Sequence, residues 1–390
     1  MSKEMRFIAT CKLGLESVAA DELRALSIEI ESVQDARIIF RGGFEEMARA
    51  CLWLRSAERV LMIVGEFHAE TFEELYEGVK SISWQDHIGR NDFIHVNGKS
   101  AKSKLFAVSD CQSITKKAIV DKLFSAYRVK TLPENGDEII IEVGLLRDEV
   151  TLALDCCGAG LSRRGYRTWN VAAPIAETLG AAIVQLARYK GGVALCDPMC
   201  GSGTMPIEAA MIAKNIAPGM GRSFAAEKWG FLTGDPFGAE RERARDSVLP
   251  GDPDIWGSDI DPHAIDVCNK HAKKAGVNIR WAVRSVADLT PPAEGGIIVC
   301  NPPYGERLME KREAEKLYKV MRGVFDSLPH WDKNIITSHR DFERIYGKKA
   351  DRRRKLSNGG MVCTLYRYFA EEGFIGNDQS MPTISRSLRF

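Results

Sequence analysis

The sequence has no apolar run near the roughly 20 residues that cross a bilayer, no CxxC pair and no Cys/His set at zinc-ligand spacing, and a net charge of only +1 at pH 7. The first gap argues against a transmembrane protein. The start, "MSKEMRFIATCKLG", lacks the long apolar core and small-residue cleavage site of a secretory signal, so a cytoplasmic protein is expected. The second gap leaves the ten cysteines as reduced, mostly buried thiols and predicts no metal. The third gives nucleic-acid binding no support from the totals, so such a claim has to come from local patches. Two nucleotide signatures are missing as well. There is no Gly-x-x-x-x-Gly-Lys-Ser/Thr loop, and the glycines at 201 and 203 do not complete Gly-x-Gly-x-x-Gly, which argues against ATP and NAD. What remains is ordinary globular usage, 45% hydrophobic and 27% charged, in 390 residues, too many for one core.

The rhythm of the chain changes about half-way. Residues 1 to about 60 mix strand candidates at 6–10 and 36–40 with helices over 16–26 and 45–54, and residues 61–158 repeat the mixture with strands at 61–64, 93–96, 139–143 and 149–154 and a lysine-bearing helix near 113–127. Both read as small α+β units. From about 190, strand candidates at 192–196, 254–257, 279–283, 296–300 and 334–338 alternate with long helices, the pattern of a largely parallel α/β sheet. Leu317, Val320, Met321, Val324, Phe325 and Leu328 predict a core-facing helix stripe. Residues 219–251, rich in Gly, Pro and charge, read as a partly helical insertion, and 371–390 as a tail.

Chemistry concentrates where strands end. At "DPMCGSGT", Asp197 closes a strand, Gly201 and Gly203 clear space for a ligand, and a helix start offers free N–H groups. Asp259 in "GSDIDP" follows the next strand, where such sheets present an acid to ribose hydroxyls, and Asp288 follows the third. Three acids after three successive strands, with glycines after the first, describe a nucleoside-bearing ligand across the carboxyl edge. After the fourth strand comes "NPPYGERL". Pro302 and Pro303 remove two N–H groups and leave carbonyls as acceptors, Asn301 adds a side-chain carbonyl, and Tyr304 adds a flat face. That set matches a planar ring bearing an amine, as a nucleobase does.

Two basic segments suggest nucleic acid. Arg163, Arg164 and Arg167 bracket Tyr166 and Trp169 in "RRGYRTW", an arrangement suited to phosphates and a base. In "KKADRRRK", Lys348, Lys349, Arg352, Arg353 and Arg354 precede "LSNGG", which reads as a loop or hairpin entry. Lys102, Lys104, Lys116 and Lys117 give the second unit a basic face.

Residues about 160–370 resemble a class I S-adenosylmethionine-dependent methyltransferase of the (N/D)PP(Y/F) type, with a Rossmann-like domain. More narrowly, "RRGYRTWNVAAPIAETLGAAIV", "DPMCGSGTMPIEAAMIAKNIAPG", "GSDIDP" and "NPPYGERL" are similar, in order and spacing, to the THUMP-containing guanine-N2 methyltransferases of bacterial large-subunit (23S) ribosomal RNA. The resemblance implies a ferredoxin-like unit at 1–60, an RNA-binding THUMP domain at 61–158 and a catalytic domain at 159–370. It assigns Asp197, Gly201 and Gly203 to the cofactor loop, Asp259 to the ribose, Asp288 to the adenine, and Pro174, Glu177 and Thr178 to the methionine end of S-adenosyl-L-methionine. Asn301, Pro302, Pro303 and Tyr304 match the target-base motif. Cys200 departs from the wider pattern. The implied partner is RNA, either ribosomal RNA or a ribosomal assembly intermediate. Competing readings are guanine-N2 methylation of transfer RNA, adenine-N6 methylation of RNA or DNA, and a non-enzymatic RNA-binding assembly factor; the oligomeric state stays open.

Overall fold

The computed structural model describes residues 4–168, 175–291, 293–304 and 308–370. Pro174, Trp169, the "GER" of "NPPYGERL" and the tail at 371–390 lie outside them.

Two seven-stranded sheets organise the chain. The first contains β1 (Met5–Cys11), β2 (Glu29–Gln34), β3 (Arg37–Gly42), β4 (Ala57–His68), β5 (Phe93–Ala101), β6 (Glu138–Leu146) and β7 (Glu149–Asp155), in the order β2-β3-β1-β4-β7-β6-β5. β4 pairs with β1 on one side and β7 on the other, so a single strand carries the sheet through residue 60. The helices are α1 (Glu16–Ala25), α2 (Phe44–Trp53), α3 (Phe72–Ser81) and α4 (Val108–Tyr127). α3 starts in a capping box in which Thr71 accepts from the Glu74 N–H while Glu74 reaches back to Thr71 N–H.

The second sheet holds β8 (Ala194–Asp197), β9 (Ile255–Asp259), β10 (Arg280–Val283), β11 (Gly296–Cys300), β12 (Trp331–Thr337), β13 (Arg352–Asn358) and β14 (Met361–Tyr368), ordered β10-β9-β8-β11-β12-β14-β13. Strands β8 to β12 run parallel, while β14 and β13 are antiparallel additions. β11 is buried along its whole length, as a central strand covered on both faces requires. From β8 the chain builds outward through β9 and β10, then returns to place β11 on the other side of β8. The loops after β8 and β11 therefore flank the topological switch point, where open α/β sheets bind ligands.

α5 (Glu177–Leu186), α6 (Thr204–Ala213), α7 (Pro236–Asp246), α8 (Pro262–Ala275), α9 (Leu308–Asp326) and α10 (Phe342–Tyr346) belong to this half; α6, α8 and α9 pack on the sheet, α5 on α6, α10 on α9, and α7 on α2 of the first half. On α9 the buried stripe is Ala314, Tyr318, Met321 and Phe325, while Val320 is 42% exposed. Leu317, Val324 and Leu328 pack against the same cluster, so the expected stripe holds except at Val320, and Tyr318 joins it. The 219–251 insertion is partly helical and bridges the halves. Trp53 of α2 donates to Glu240 of α7 (2.8 Å), Gly219 N–H donates to Leu52 O (2.9 Å), and Phe231 lies 6.2 Å from Phe44. A Cβ on Gly219 would meet Leu52 Cα at 2.7 Å, so glycine there serves close backbone approach. One hydrophobic core runs from Phe7 and Phe40 to Leu195 and Ile297 without a break between the halves.

Candidate active site at the carboxyl edge of the second sheet

The turn after β8 is held from behind and open in front. Gly201 N–H donates to Asp259 Oδ2 (3.0 Å) and Cys200 N–H to Ser258 O (2.9 Å). On the other side, Cys268 Sγ sits 3.1 Å from Gly201 O and His271 Nδ1 3.1 Å from Ser202 O, both from α8. Gly201 and Gly203 take φ of +51° and +80°, the left-handed region that glycine enters without a Cβ penalty. A Cβ on Gly203 would strike the Trp281 ring at 2.8 Å, whereas one on Gly201 meets nothing within 4 Å. Gly203 is there for packing, and Gly201 faces open space.

Asp197 is fully buried. Its Oδ1 accepts from Met199 N–H (3.1 Å), while Oδ2 has no hydrogen-bond partner among the described residues. Burial, reinforced by the nearby Asp259 carboxylate, pushes the Asp197 carboxyl well above the usual range. Asp288 is exposed after β10. Beside Asp259 stand two apolar side chains in solvent, Ile260 at 72% and Val283 at 56% exposure; the β9–β10 register pairs Val283 with Asp259. The sequence reading passed over both, although an isoleucine between two aspartates at a strand end was a usable signal.

The turn after β11 is built from acceptors. Asn301 Oδ1 takes the Tyr304 hydroxyl, and Cys363 Sγ of β14 lies 3.9 Å from that same hydroxyl. Burial, with Cys363 adding to it, raises the Tyr304 phenol far above its ordinary value, so it stays a donor. Pro302 is buried and Pro303 exposed. Pro303 O is not free: Tyr318 OH donates to it at 2.9 Å. In this state Tyr304 therefore folds onto Asn301, where the sequence suggested an open stacking face.

Other expected site residues are drawn elsewhere. Thr178 is buried and donates to Glu58 of β4, which also accepts from Lys12 Nζ (2.6 Å). Glu177 is buried 3.5 Å from Arg167, whose Nη1 donates to Ile175 O. Both residues of the pair are spent on joining the halves and bracing the start of α5. Arg164 corrects the RNA assignment: its guanidinium is buried, paired with Glu208 (3.2 Å) and bonded to Leu161 O and Arg55 O. A charge so placed cannot reach a phosphate. Tyr166 is buried with it and donates to Glu208. Arg354 corrects it again, since its Nε donates to Gly14 O (2.6 Å) and its Nη2 to Ser17 Oγ. Arg353 pairs with Glu343 at 3.0 Å. Arg163, Lys348, Lys349 and Arg352 remain exposed.

Comparison with known proteins decides the family. Residues 164–367 match the RMKL-like methyltransferase domain, 6–61 the RlmL ferredoxin-like domain and 69–155 the THUMP domain. The chain belongs to the RMKL-like methyltransferase family. It is 42% identical, over 95% of its length and 97% of the relative's, to the putative RNA methyltransferase YpsC of Bacillus subtilis. It is 35% identical to the ribosomal RNA large subunit methyltransferase K/L of Syntrophotalea carbinolica, covering 99% of this chain but 56% of that protein's length. Two solved structures are similar throughout. SMU.472, a putative methyltransferase complexed with SAH, gives a TM-score of 0.90 at 38% identity over 96% of this chain and all of that one. A protein of Listeria monocytogenes titled "predicted N6-adenine-specific DNA methylase" gives 0.89 at 40% identity over 95% and 97%.

Members of this methyltransferase family use S-adenosylmethionine, and so does this chain. The residues present fit it. The uncompensated Asp197 oxygen suits a cationic amino-acid end, and the open side of Gly201 admits a ligand against the backbone. Among the described residues no helix is long and apolar enough to cross a membrane.

Proposed function

We propose that this methyltransferase modifies the exocyclic N2 amine of a guanine in RNA, and that the RNA is 23S ribosomal RNA. The observation that carries the proposal is the adjacency of two unlike turns, a glycine turn after β8 that is open at Gly201 and an acceptor-rich proline turn after β11, on neighbouring parallel strands. S-adenosylmethionine supplies an electrophilic methyl group when bound; the chain supplies placement. Asp197 would hold the ammonium, Asp259 the ribose hydroxyls, and Ile260, Val283 and Asp288 the adenine. The target base leaves its stack, at a cost of a few kcal/mol that is least in looped RNA, and enters beside Asn301. Asn301 Oδ1 and the Pro302 carbonyl accept from the amine and hold its lone pair toward the methyl carbon. To do so the amine displaces the Tyr304 hydroxyl from Asn301, which releases the ring to lie on the base. Asn301 is no base: the proton leaves to water or a backbone oxygen.

RNA is favoured by the THUMP match and by the names of the relatives. Arg163, Lys348, Lys349 and Arg352 are the exposed cations assigned to its phosphates. A protein acting on ribosomal RNA would work in the cytoplasm. The similar Listeria protein, a predicted N6-adenine-specific DNA methylase, keeps adenine N6 as a second reading, because that amine suits the same acceptors. Nucleoside mass spectrometry of RNA from cells lacking the protein separates them. The expected result is loss of N2-methylguanosine from 23S RNA; loss of N6-methyladenosine, or loss confined to transfer RNA, replaces the proposal with a competitor.

A further inference from the structure

A turn made of two prolines cannot hold itself. Pro302 and Pro303 have no N–H, so the backbone handles they leave are carbonyls, and each needs a donor from outside. α9 provides one. The Tyr318 hydroxyl donates to Pro303 O at 2.9 Å and lies 3.2 Å from Thr337 Oγ1, at the end of β12. With the phenol proton given to Pro303, Thr337 has to donate to Tyr318, and Thr337 Oγ1 in turn accepts from His339 N–H at 3.1 Å. A one-way chain thus runs from the end of β12 through α9 to the turn after β11. The Tyr318 ring is fully buried and fixed edge-on between His339 (5.6 Å) and Phe342 (5.0 Å). Burial pushes its phenol up to about 12, so the donor survives any ordinary assay pH.

We propose that Tyr318 is the positioning residue of the target-base turn: by fixing the Pro303 carbonyl it sets the peptide plane leading into Tyr304 and the approach to Asn301. The proposal rests on reading that turn as the site of the target amine. A purely apolar helix residue would fill the same space, and the hydroxyl adds direction, since a shift of about 1 Å at a reacting group costs on the order of a hundredfold in rate.

Tyr318→Phe tests it, because the ring stays and one oxygen goes. Expected are an SAH affinity by calorimetry and an unfolding midpoint close to wild type, an unchanged KM for S-adenosylmethionine, and a kcat on 23S RNA lowered roughly 10- to 100-fold. Hydrogen exchange should rise in the peptide over 299–304 and not in that over 197–204. Thr337→Ser keeps the chain and should keep the rate, while Thr337→Val should show a smaller loss than Tyr318→Phe. A wild-type kcat in Tyr318→Phe, unchanged exchange over 299–304, or a kcat loss matched by equal losses of SAH binding and stability would each overturn the role. Should wild type label adenine instead, the choice of guanine falls while the kcat and exchange comparison still decides Tyr318.

Discussion

The glycine turn after β8 and the proline turn after β11 stand at adjacent strand ends and are made in opposite ways. The first spends its Cys200 and Gly201 N–H groups on Ser258 O and Asp259 and leaves open the space before Gly201, and it is held by these acceptors and by packing against α8. The second has lost two N–H groups, exposes carbonyls, and is held by donors, the hydroxyls of Tyr304 and Tyr318. In the proposed reading, two unlike turns at neighbouring positions would let one edge hold a carboxylate-bearing nucleoside and an amine within reach of each other. Each turn should therefore fail in its own way.

The largest effect is expected from the proline turn. Asn301→Ala removes the side-chain acceptor and should lower kcat by about 10²–10³, the usual loss for one preorganised polar contact, with SAH binding by calorimetry near wild type. Equal damage to SAH binding would mean that the two turns do not divide the work. Next comes Asp259→Ala, which deletes a side-chain acceptor shared by Gly201 and Asp261 N–H and the proposed ribose contact. Losing a hydrogen bond to a charged group, about 1.5–3 kcal/mol, predicts a roughly 10- to 100-fold weaker SAH affinity.

Within the glycine turn, Gly203→Ala should destabilise by about 1–3 kcal/mol in denaturant unfolding, since its Cβ collides with Trp281 and its φ is left-handed. Gly201→Ala meets open space and carries only the backbone strain, about 1 kcal/mol, so its larger effect should fall on SAH binding. The smallest change belongs to Asp197→Asn. The folded-state value of Asp197 is raised, so the wild-type protein is penalised as pH rises from the unfolded value of about 4 through the raised folded one, and the penalty is constant above it. Without ligand the Asn variant should gain stability over wild type between pH 4 and 8 in thermal unfolding, and SAH should reverse the order.

How much was legible follows from burial. β11 reads plainly because a wholly buried strand is a run of apolar residues ending abruptly in Asn301. The order of the parallel strands, the glycines and the acids read equally well, because each is local chemistry at a strand end. β2 escaped because it is an edge strand whose half-buried positions are Ile30 and Ser32, so the alternation in burial is not written as an alternation of apolar residues. The β13–β14 hairpin hid behind its arginines: on an edge strand "RRRK" can be ladder and surface at once. Arg164 and Arg354 were misread for one reason. A cluster of like charges in sequence says nothing of which member turns inward, and Glu208 on α6 and the Gly14 carbonyl lie 44 and 340 residues away. Tyr318 was hidden for another reason: on a helix stripe an inward tyrosine reads as core, and nothing in sequence says that its hydroxyl meets the Pro303 carbonyl.

The unbroken seam between the halves has a consequence for substrate choice. Among the described residues, Arg55 Nη2 on Ile216 O, Gln185 on Glu22 and the α2–α7 bridge tie the front sheet to the half that carries the slot. A hinged enzyme searches for its nucleotide by swinging; halves tied at these points are expected to act as a caliper of fixed gap. If the front sheet seats on RNA, the span from that seat to Asn301 is set by the fold, and lengthening or shortening the RNA between the two should move the methylated position by as many nucleotides.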